Sequence, residues 1–395
     1  MELSKFSFDF SLKTKTKFGV GSAKKLAQFL KESSFQNIGI ILDNNICDNL
    51  YVKEIIDGIV KHGFHRVISW NYDLASEPDY DSLDKIKLQF LNSSGKPLVN
   101  CFVAIGGGSV IDFAKGLATL VVNPGPSLKY RGFPQNINPS LPVIALPTTA
   151  GTASEVTYNA VFIDSKTNKK LGINTEYNYP FLAVIDPKLT MDCPRSVTLS
   201  SGGDAIVHAI ESYVAVQANP YTRIFSKEAF KLVYNALPKV IKYHKNIEFR
   251  SQMSFGSYLA GIGLMNSGSG PAGALSYLIG PYFSIPHGFA GVVFLPYVVQ
   301  HNVDNGYDYS ELYDLIEGAN HSLNNKMKSK EFVNHIESTW KEIGMPTSLT
   351  AFKIDKIKIQ NIINEVDKFE AAFAQNPLPF TVEDGKNLLF KLVQH

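Results

Sequence analysis

Asp204 and His208 stand four residues apart in SSGGDAIVHAIESYVA, Ser200 to Ala215. In a helix that spacing puts both side chains on one face. A carboxylate and an imidazole on one face can hold a single divalent cation. A surface Asp paired with a half-buried His is the plainer reading, because D-x-x-x-H is short and common. Gly202 and Gly203 read as a lead-in turn, with the helix running on through Ile210 and Tyr213.

A second stretch could do different chemistry. The apolar strand LVNCFVAIG, Leu98 to Gly106, runs into GGGSVIDFAKG, Gly106 to Gly116. Gly106, Gly107 and Gly108 allow a sharp turn that exposes successive N–H groups. Ser109 is placed to cap the helix that follows, whose N-terminus offers unpaired donors and a positive dipole end. This is a pyrophosphate cradle, or else an ordinary tight βα turn. It is neither G-x-G-x-x-G nor the Walker pattern. Asp43, at the end of the strand Asn37 to Leu42, could accept hydrogen bonds from a ribose hydroxyl and would repel a 2′-phosphate, which favours NAD over NADP. The loop LPTTAGTASEVT, Leu146 to Thr157, is dense in hydroxyl and N–H donors. It is either turn chemistry or a lining for the phosphates and nicotinamide.

The elements needed to position these residues are legible in outline. Short apolar strands at 37–42, 66–70, 98–106, 143–146 and 182–185 alternate with helical stretches at 22–32, 51–62 and 82–90, and a hairpin is expected at 160–163 with 170–174. Ser22 reads as the cap of the first of those helices. That alternation predicts a doubly wound parallel α/β domain. From about Thr198, helical patterns dominate: 204–216, 223–241, 247–265, 309–321, 331–343 and 356–369. The expected division is an α/β dinucleotide-binding domain over 1–193 and an all-helical metal and substrate domain over 194–395.

Composition narrows the function classes. The chain has 395 residues, 45% hydrophobic and 19% charged, which suits a compact protein. A formal net charge of +2, with no basic face, argues against nucleic-acid binding and against acidic membranes. The apolar runs break before membrane-spanning length. Cys47, Cys101 and Cys193 form no disulfide pattern, and a cytoplasmic location is expected. The opening stretch FSFDFSLKTKTKFGVG reads as an edge strand ending at Gly19 and Gly21. An exposed edge strand wants a partner, so a homodimer is expected.

Five motifs in order, GGGSVIDFAKG, LPTTAGTASEVT, IDPKL, GGDAIVHAIESY and IPHGFAGVVFLPYV, together resemble the iron-containing, or group III, alcohol dehydrogenases. The resemblance runs from FGVGS to NPLPFTVED. It implies a dehydroquinate synthase-like fold, an N-terminal α/β nucleotide-binding domain and a C-terminal all-helical domain, with NAD(P) and a divalent metal meeting between them. It implies that Gly106 to Ser109 and Asp112 form the pyrophosphate loop, that Thr148, Thr149, Thr152 and Thr157 form a second cofactor loop, and that Lys170 reaches the cofactor ribose. Asp204, His208 and His287 match three metal ligands. In the family the opening Phe/Lys-rich segment also tends to pair across a two-fold.

The family's fourth ligand, a His, aligns with Gly273, and the His one turn further on aligns with Tyr277. The stretch 266–286 contains no histidine. A three-ligand site completed by water or substrate, a donor from the substrate itself, and weak metal binding with altered chemistry all remain open. A metal-assisted NAD(P)-dependent alcohol dehydrogenase or aldehyde reductase is the leading reading, with Fe²⁺ or Zn²⁺ as metal. Tyr277 would relay a proton or bind the substrate oxygen, unless it only packs in its helix. Loss of the His at Gly273 is expected to enlarge the pocket, with Tyr277 and Asn159 adding polar contacts for a bulkier or more polar aldehyde. The rivals are a non-redox enzyme of the dehydroquinate synthase kind and a metal-free nucleotide-binding protein. His301 reads as structural.

Overall fold

The computed structural model describes residues 6–73, 77–167 and 169–394. They fall into two compact units. One is Leu12–Cys193, and the other runs from Pro194 onward and includes the segment that ends at Ser11.

The first unit is built on a six-stranded sheet, β1 (Lys15–Phe18), β2 (Asn37–Asp43), β3 (Arg66–Tyr72), β4 (Cys101–Gly106), β5 (Val143–Pro147) and β8 (Leu182–Ile185), in the order β1-β8-β5-β4-β2-β3. Every pairing in it is parallel. A separate antiparallel pair joins β6 (Ile163–Asp164) to β7 (Lys169–Lys170), a shorter hairpin than expected. Alternation along β4 explains the two cores. Cys101, Val103 and Ile105 pack with α1 (Leu26–Glu32) and α2 (Leu50–Lys61), while Phe102 and Ala104 face α3 (Tyr80–Ile86) and α4 (Gly108–Leu120). Chain order reverses between β2 and β4, and a parallel sheet binds ligands at such a switch point, beyond its carboxyl ends. Asp43, Gly106 and Pro147 all lie at those ends.

Two details differ from expectation. The opening strand covers only Lys15–Phe18, and it pairs with β8 at the sheet's edge. The preceding segment belongs to the other unit, where Ser11 N donates to Asn266 Oδ1 at 2.7 Å and the Phe10 ring meets Tyr221 at 4.4 Å. Ser22 is not a cap. Gly21 stands there with φ 86°, and the Asp186 carboxylate of IDPKL accepts from Gly21 N and Ala23 N at 3.0 Å each.

The second unit is helical: α5 (Arg195–Val214), α6 (Pro220–Lys242), α7 (Ile247–Ser267), α8 (Pro271–Phe283) and α9 (His287–Asp304), then α10 (Ser310–Tyr313), α11 (Asn325–Ile343), α12 (Lys356–Ile362), α13 (Glu370–Phe373) and α14 (Val382–Lys391). The stretch 309–321 is not one helix. Only Ser310–Tyr313 is helical there, and turns follow. Helices α8 and α9 are absent from the expected set because prolines and glycines interrupt their pattern.

The main correction concerns Gly202 and Gly203. They do not form a turn. They lie buried inside α5, two turns past its start. A Cβ on Gly202 would come within 2.6 Å of Leu237 Cδ1, and one on Gly203 would overlap Val292 Cγ1. Tertiary packing has overridden helix propensity. Gly288 in α9 has the same role, because its Cβ would overlap the Ser200 carbonyl oxygen. Among the described residues no helix is long and apolar enough to cross a membrane.

Gly288→Ala separates the two effects. Helix propensity would favour Ala by about 1 kcal/mol. Overpacking against a backbone atom costs about 1–3 kcal/mol or more. Net destabilisation is expected in urea unfolding, and a variant as stable as the parent would contradict this account of the crossing.

Candidate active site

The glycine-rich turn and the hydroxyl-rich loop come together at the carboxyl ends of β4 and β5. Thr148 N donates to Gly106 O at 3.0 Å. A Cβ on Gly108 would lie 2.5 Å from Thr152 Oγ1, and one on Gly107 would lie 3.4 Å from Thr149 Oγ1. At Gly108, therefore, the absence of a side chain is what lets the two loops touch. Ser109 does not cap α4. The cap is Gly107, which makes no side-chain hydrogen bond, and Ser109 lies within the first turn. The N–H groups of that turn, which a helix leaves unpaired, suit an anion.

Behind the turn lies a buried charged cluster that was not anticipated. Lys115 is fully buried, and its Nζ donates to Asn159 O at 2.9 Å, with Thr157 Oγ1 and Asp112 Oδ1 each at 3.5 Å. Asp112 Oδ2 accepts from Val161 N at 3.0 Å. Asp112 and Thr157 thus join α4 to the loop. Burial raises the Asp112 pKa and lowers that of Lys115, outweighing their attraction. Burial pushes the Glu155 carboxyl up to about 7, with Lys115 opposing. The signal available in the sequence was Lys115 at i+3 from Asp112 in the same motif.

Asp43 and Lys170 are already engaged. The Asp43 carboxylate is mostly buried at the end of β2 and accepts from Asn45 N at 2.9 Å. Its pKa is raised, with desolvation as the main cause and the Asn45 bond opposing. Lys170 Nζ donates to Glu77 Oε1 at 3.0 Å.

In the helical unit, Asp204, His208 and His287 converge, each offering one ligand atom, all within 4.8 Å of one another. Asp204 Oδ1 lies 3.6 Å from His208 Nε2 and 3.8 Å from His287 Nε2. Asp204 and His208 come from consecutive turns of α5. His287 is the first residue of α9, after Pro286 with φ −52°. The donor set fits a divalent cation. On the other side of the ring, the buried His208 Nδ1 has no hydrogen-bond partner. Tyr277, half-buried, sets its ring edge-on to His287, with centroids 4.8 Å apart. His301 Nε2 lies 2.8 Å from Pro379 O, with its ring on Phe380.

Gly273 does not open a pocket. A Cβ there would lie 2.5 Å from Ser269 Oγ and 3.0 Å from Glu211 Oε2. The fully buried Glu211 carboxylate fills that space, accepting from Ala272 N at 2.7 Å, Gly270 N at 2.9 Å and Gly273 N at 3.1 Å, and from Ser269 Oγ at 2.7 Å. Desolvation raises its pKa against those four bonds. The ground for expecting a bulkier substrate at this position therefore falls away. Glu211, three residues past His208, escaped notice because a buried carboxylate looks like any other polar residue in a helix.

Family models match residues 13–187 as iron-containing alcohol dehydrogenase and residues 198–393 as the C-terminal part of the Fe-containing alcohol dehydrogenase family. The chain is 29% identical to an NAD-dependent methanol dehydrogenase of Bacillus methanolicus, covering 93% of this chain and 94% of that protein. It is 32% identical to a sulfoacetaldehyde reductase of Bilophila wadsworthia, over 77% of each. A solved 1,3-propanediol oxidoreductase shares the fold, with a TM-score of 0.89, 23% identity, and coverage of 98% of this chain and 100% of that one.

The Glu155 shift has a testable sign. The folded state binds this proton more tightly than the unfolded chain does. The associated stability is therefore full below about pH 4.5 and is lost as pH rises through about 7. Glu155→Gln should flatten that part of the stability profile in denaturant titrations. An unchanged slope would show that Glu155 is ionised in the folded protein throughout.

Proposed function

Because this chain belongs to the iron-containing alcohol dehydrogenase family and is an oxidoreductase acting on CH–OH groups, we propose that it transfers a hydride between NAD(H) and a small alcohol or aldehyde at a divalent-cation site made by Asp204, His208 and His287. The convergence of these three donors carries the reading. Three protein ligands with one open position are what a catalytic Zn²⁺ uses, and Fe²⁺ fits the same donor types. When bound, the cation supplies Lewis acidity that favours the alkoxide and polarises the carbonyl, and the nicotinamide accepts or supplies the hydride.

The chain's own residues take the remaining roles. Asp204 provides the negative charge that balances the cation, and the α5 and α9 backbones hold His208 and His287 in register with it. Tyr277, edge-on to His287, is placed to hydrogen-bond the substrate oxygen or pass on its proton. In the α/β domain, residues 1–193 of the proposed division, the N–H groups of Gly106, Gly107, Gly108 and Ser109 receive the pyrophosphate at the positive end of α4. Thr148, Thr149, Thr152 and Thr157 line the second cofactor loop, which Asp112 ties to α4. Asp43 and Lys170 hold ribose hydroxyls after giving up part of their present bonding. Residues 194–395 carry metal and substrate. The rival readings, a non-redox lyase or a metal-free nucleotide binder, are not favoured by the three assembled donors.

Two further elements belong to the proposal. A homodimer would cover the open side of β1, where Phe18 is 44% exposed and Val20 57%. A cytoplasmic location agrees with three free cysteines.

His287→Ala should bring NADH-dependent aldehyde reduction to background while leaving NADH affinity, read by fluorescence titration, nearly intact. Chelation should do the same to the parent, with recovery on adding Zn²⁺ or, anaerobically, Fe²⁺. Unchanged turnover in either case refutes the metal reading. Asp43→Ser should narrow the gap between NADH and NADPH affinities, and equal affinities in the parent would remove Asp43 from cofactor selection. Sedimentation at micromolar concentration should show a dimer, and a monomer alone would reject it.

A further inference from the structure

We propose that Lys115 is a positioning residue for the cofactor, holding the loop 148–161 against the glycine-rich turn so that the turn takes a dinucleotide diphosphate with full affinity. The inference rests on the cofactor reading above and deepens it.

Among the described residues the loop has no helix or strand of its own between β5 and β6. Within it the backbone closes a turn, Val156 N to Ala153 O at 2.9 Å, and Ala153 stands in the left-handed region at φ 53°. A residue with a Cβ keeps that conformation where its surroundings impose it. Here α4 and its leading turn are those surroundings. At the loop's start Thr148 N donates to Gly106 O, and Thr149 and Thr152 stand over the Cβ positions of Gly107 and Gly108. At its end Asp112 Oδ2 accepts from Val161 N at 3.0 Å, and Lys115 Nζ donates to Asn159 O at 2.9 Å. An ammonium has three hydrogens. Thr157 Oγ1 and Asp112 Oδ1, each at 3.5 Å, are the weaker partners of the other two.

Charge gives a second reason. Asp112 and Glu155 are both buried, and Lys115 is the cation that favours ionisation of each against the cost of burial. A diphosphate arriving at the start of α4 brings negative charge toward these two carboxyls. Lys115, seven residues past Gly108 on the same helix, offsets them. Between buried groups that compensation is little screened. With Met in its place, Asn159 O loses its donor and the two carboxyls lose their cation. The first loss loosens the loop, and the second disfavours an anion beside it. A Lys115 whose role was structural alone would support stability and leave the affinity of the folded protein unchanged when removed.

The test uses the full chain with a chelator present, so that cofactor binding is read apart from the metal. Affinities for NADH and ADP-ribose are measured by fluorescence titration and calorimetry for the parent and for Lys115→Met, below the unfolding midpoint of each. Both ligands should bind about 10-fold more weakly to the variant, because a loop in its receiving position about a tenth of the time scales affinity by that fraction. With metal restored, the loss should fall on KM for NADH and not on kcat. A parent that binds neither ligand refutes the cofactor reading and this inference with it. A parent that binds while Lys115→Met binds equally well overturns this inference alone, however far the variant's unfolding midpoint drops. A fall in kcat with KM unchanged overturns it too. If Lys115→Met fails to fold, amide exchange in the ligand-free parent decides. The loop 148–161 should then be protected like α4, and exchange as fast as in open chain overturns the proposal.

Discussion

At Gly288 the backbones of α5 and α9 approach so closely that no side chain fits between them. Gly288 presses on the Ser200 carbonyl, and Gly203 leaves room for Val292. The donor cluster depends on this contact. His287 is the residue before Gly288, and Asp204 the residue after Gly203. A wider crossing would draw His287 Nε2 away from its 3.8 Å separation from Asp204 Oδ1. Interiors packed as densely as crystals transmit such a shift and do not absorb it. Gly202 extends the constraint, because α6 and α7 meet the same part of α5 through Leu237 and Met253. The site is therefore a consequence of packing as much as of ligand choice.

This explains which parts of the fold were legible in the sequence. The strands of the α/β unit are short apolar runs bounded by turn residues, and their positions follow from pattern alone. Asn37 to Leu42 and Leu182 to Ile185 are near-direct readings of β2 and β8. At Gly202 and Gly203 the glycine signal points the wrong way, since both lie inside α5. A glycine pair signals either freedom of the chain or absence of a side chain, and only the neighbours decide between them. The same ambiguity hid α8 and α9. Their prolines and glycines argue against helix locally, while their burial against other helices argues for it, and packing wins.

The candidate site shows a matching split. Asp204 and His208 were readable from an i,i+4 spacing, and the glycine-rich turn from its place after an apolar strand. His287 came only through the family resemblance, since nothing local distinguishes it. The buried groups behind the sites were not read at all. Lys115 and Glu211 are ionisable groups whose charged forms would be costly to bury alone. Each is held by bonds to backbone that sequence spacing cannot show: Lys115 to the Asn159 carbonyl, Glu211 to three N–H groups.

These two buried groups do comparable work in different units. Lys115 ties the glycine-rich helix to the hydroxyl-rich loop, so the position of that loop follows the position of α4. Glu211 ties α5 to the start of α8. In both cases the ionisable group holds backbone in place. A group with that task gains from being dry, because hydrogen bonds to charge strengthen where water is excluded. The same dryness makes its partners hard to replace, since an unpaired buried charge is costly. Gly273 illustrates the consequence. A Cβ at Gly273 would press on Ser269 Oγ and crowd the Glu211 carboxylate, so both would have to shift.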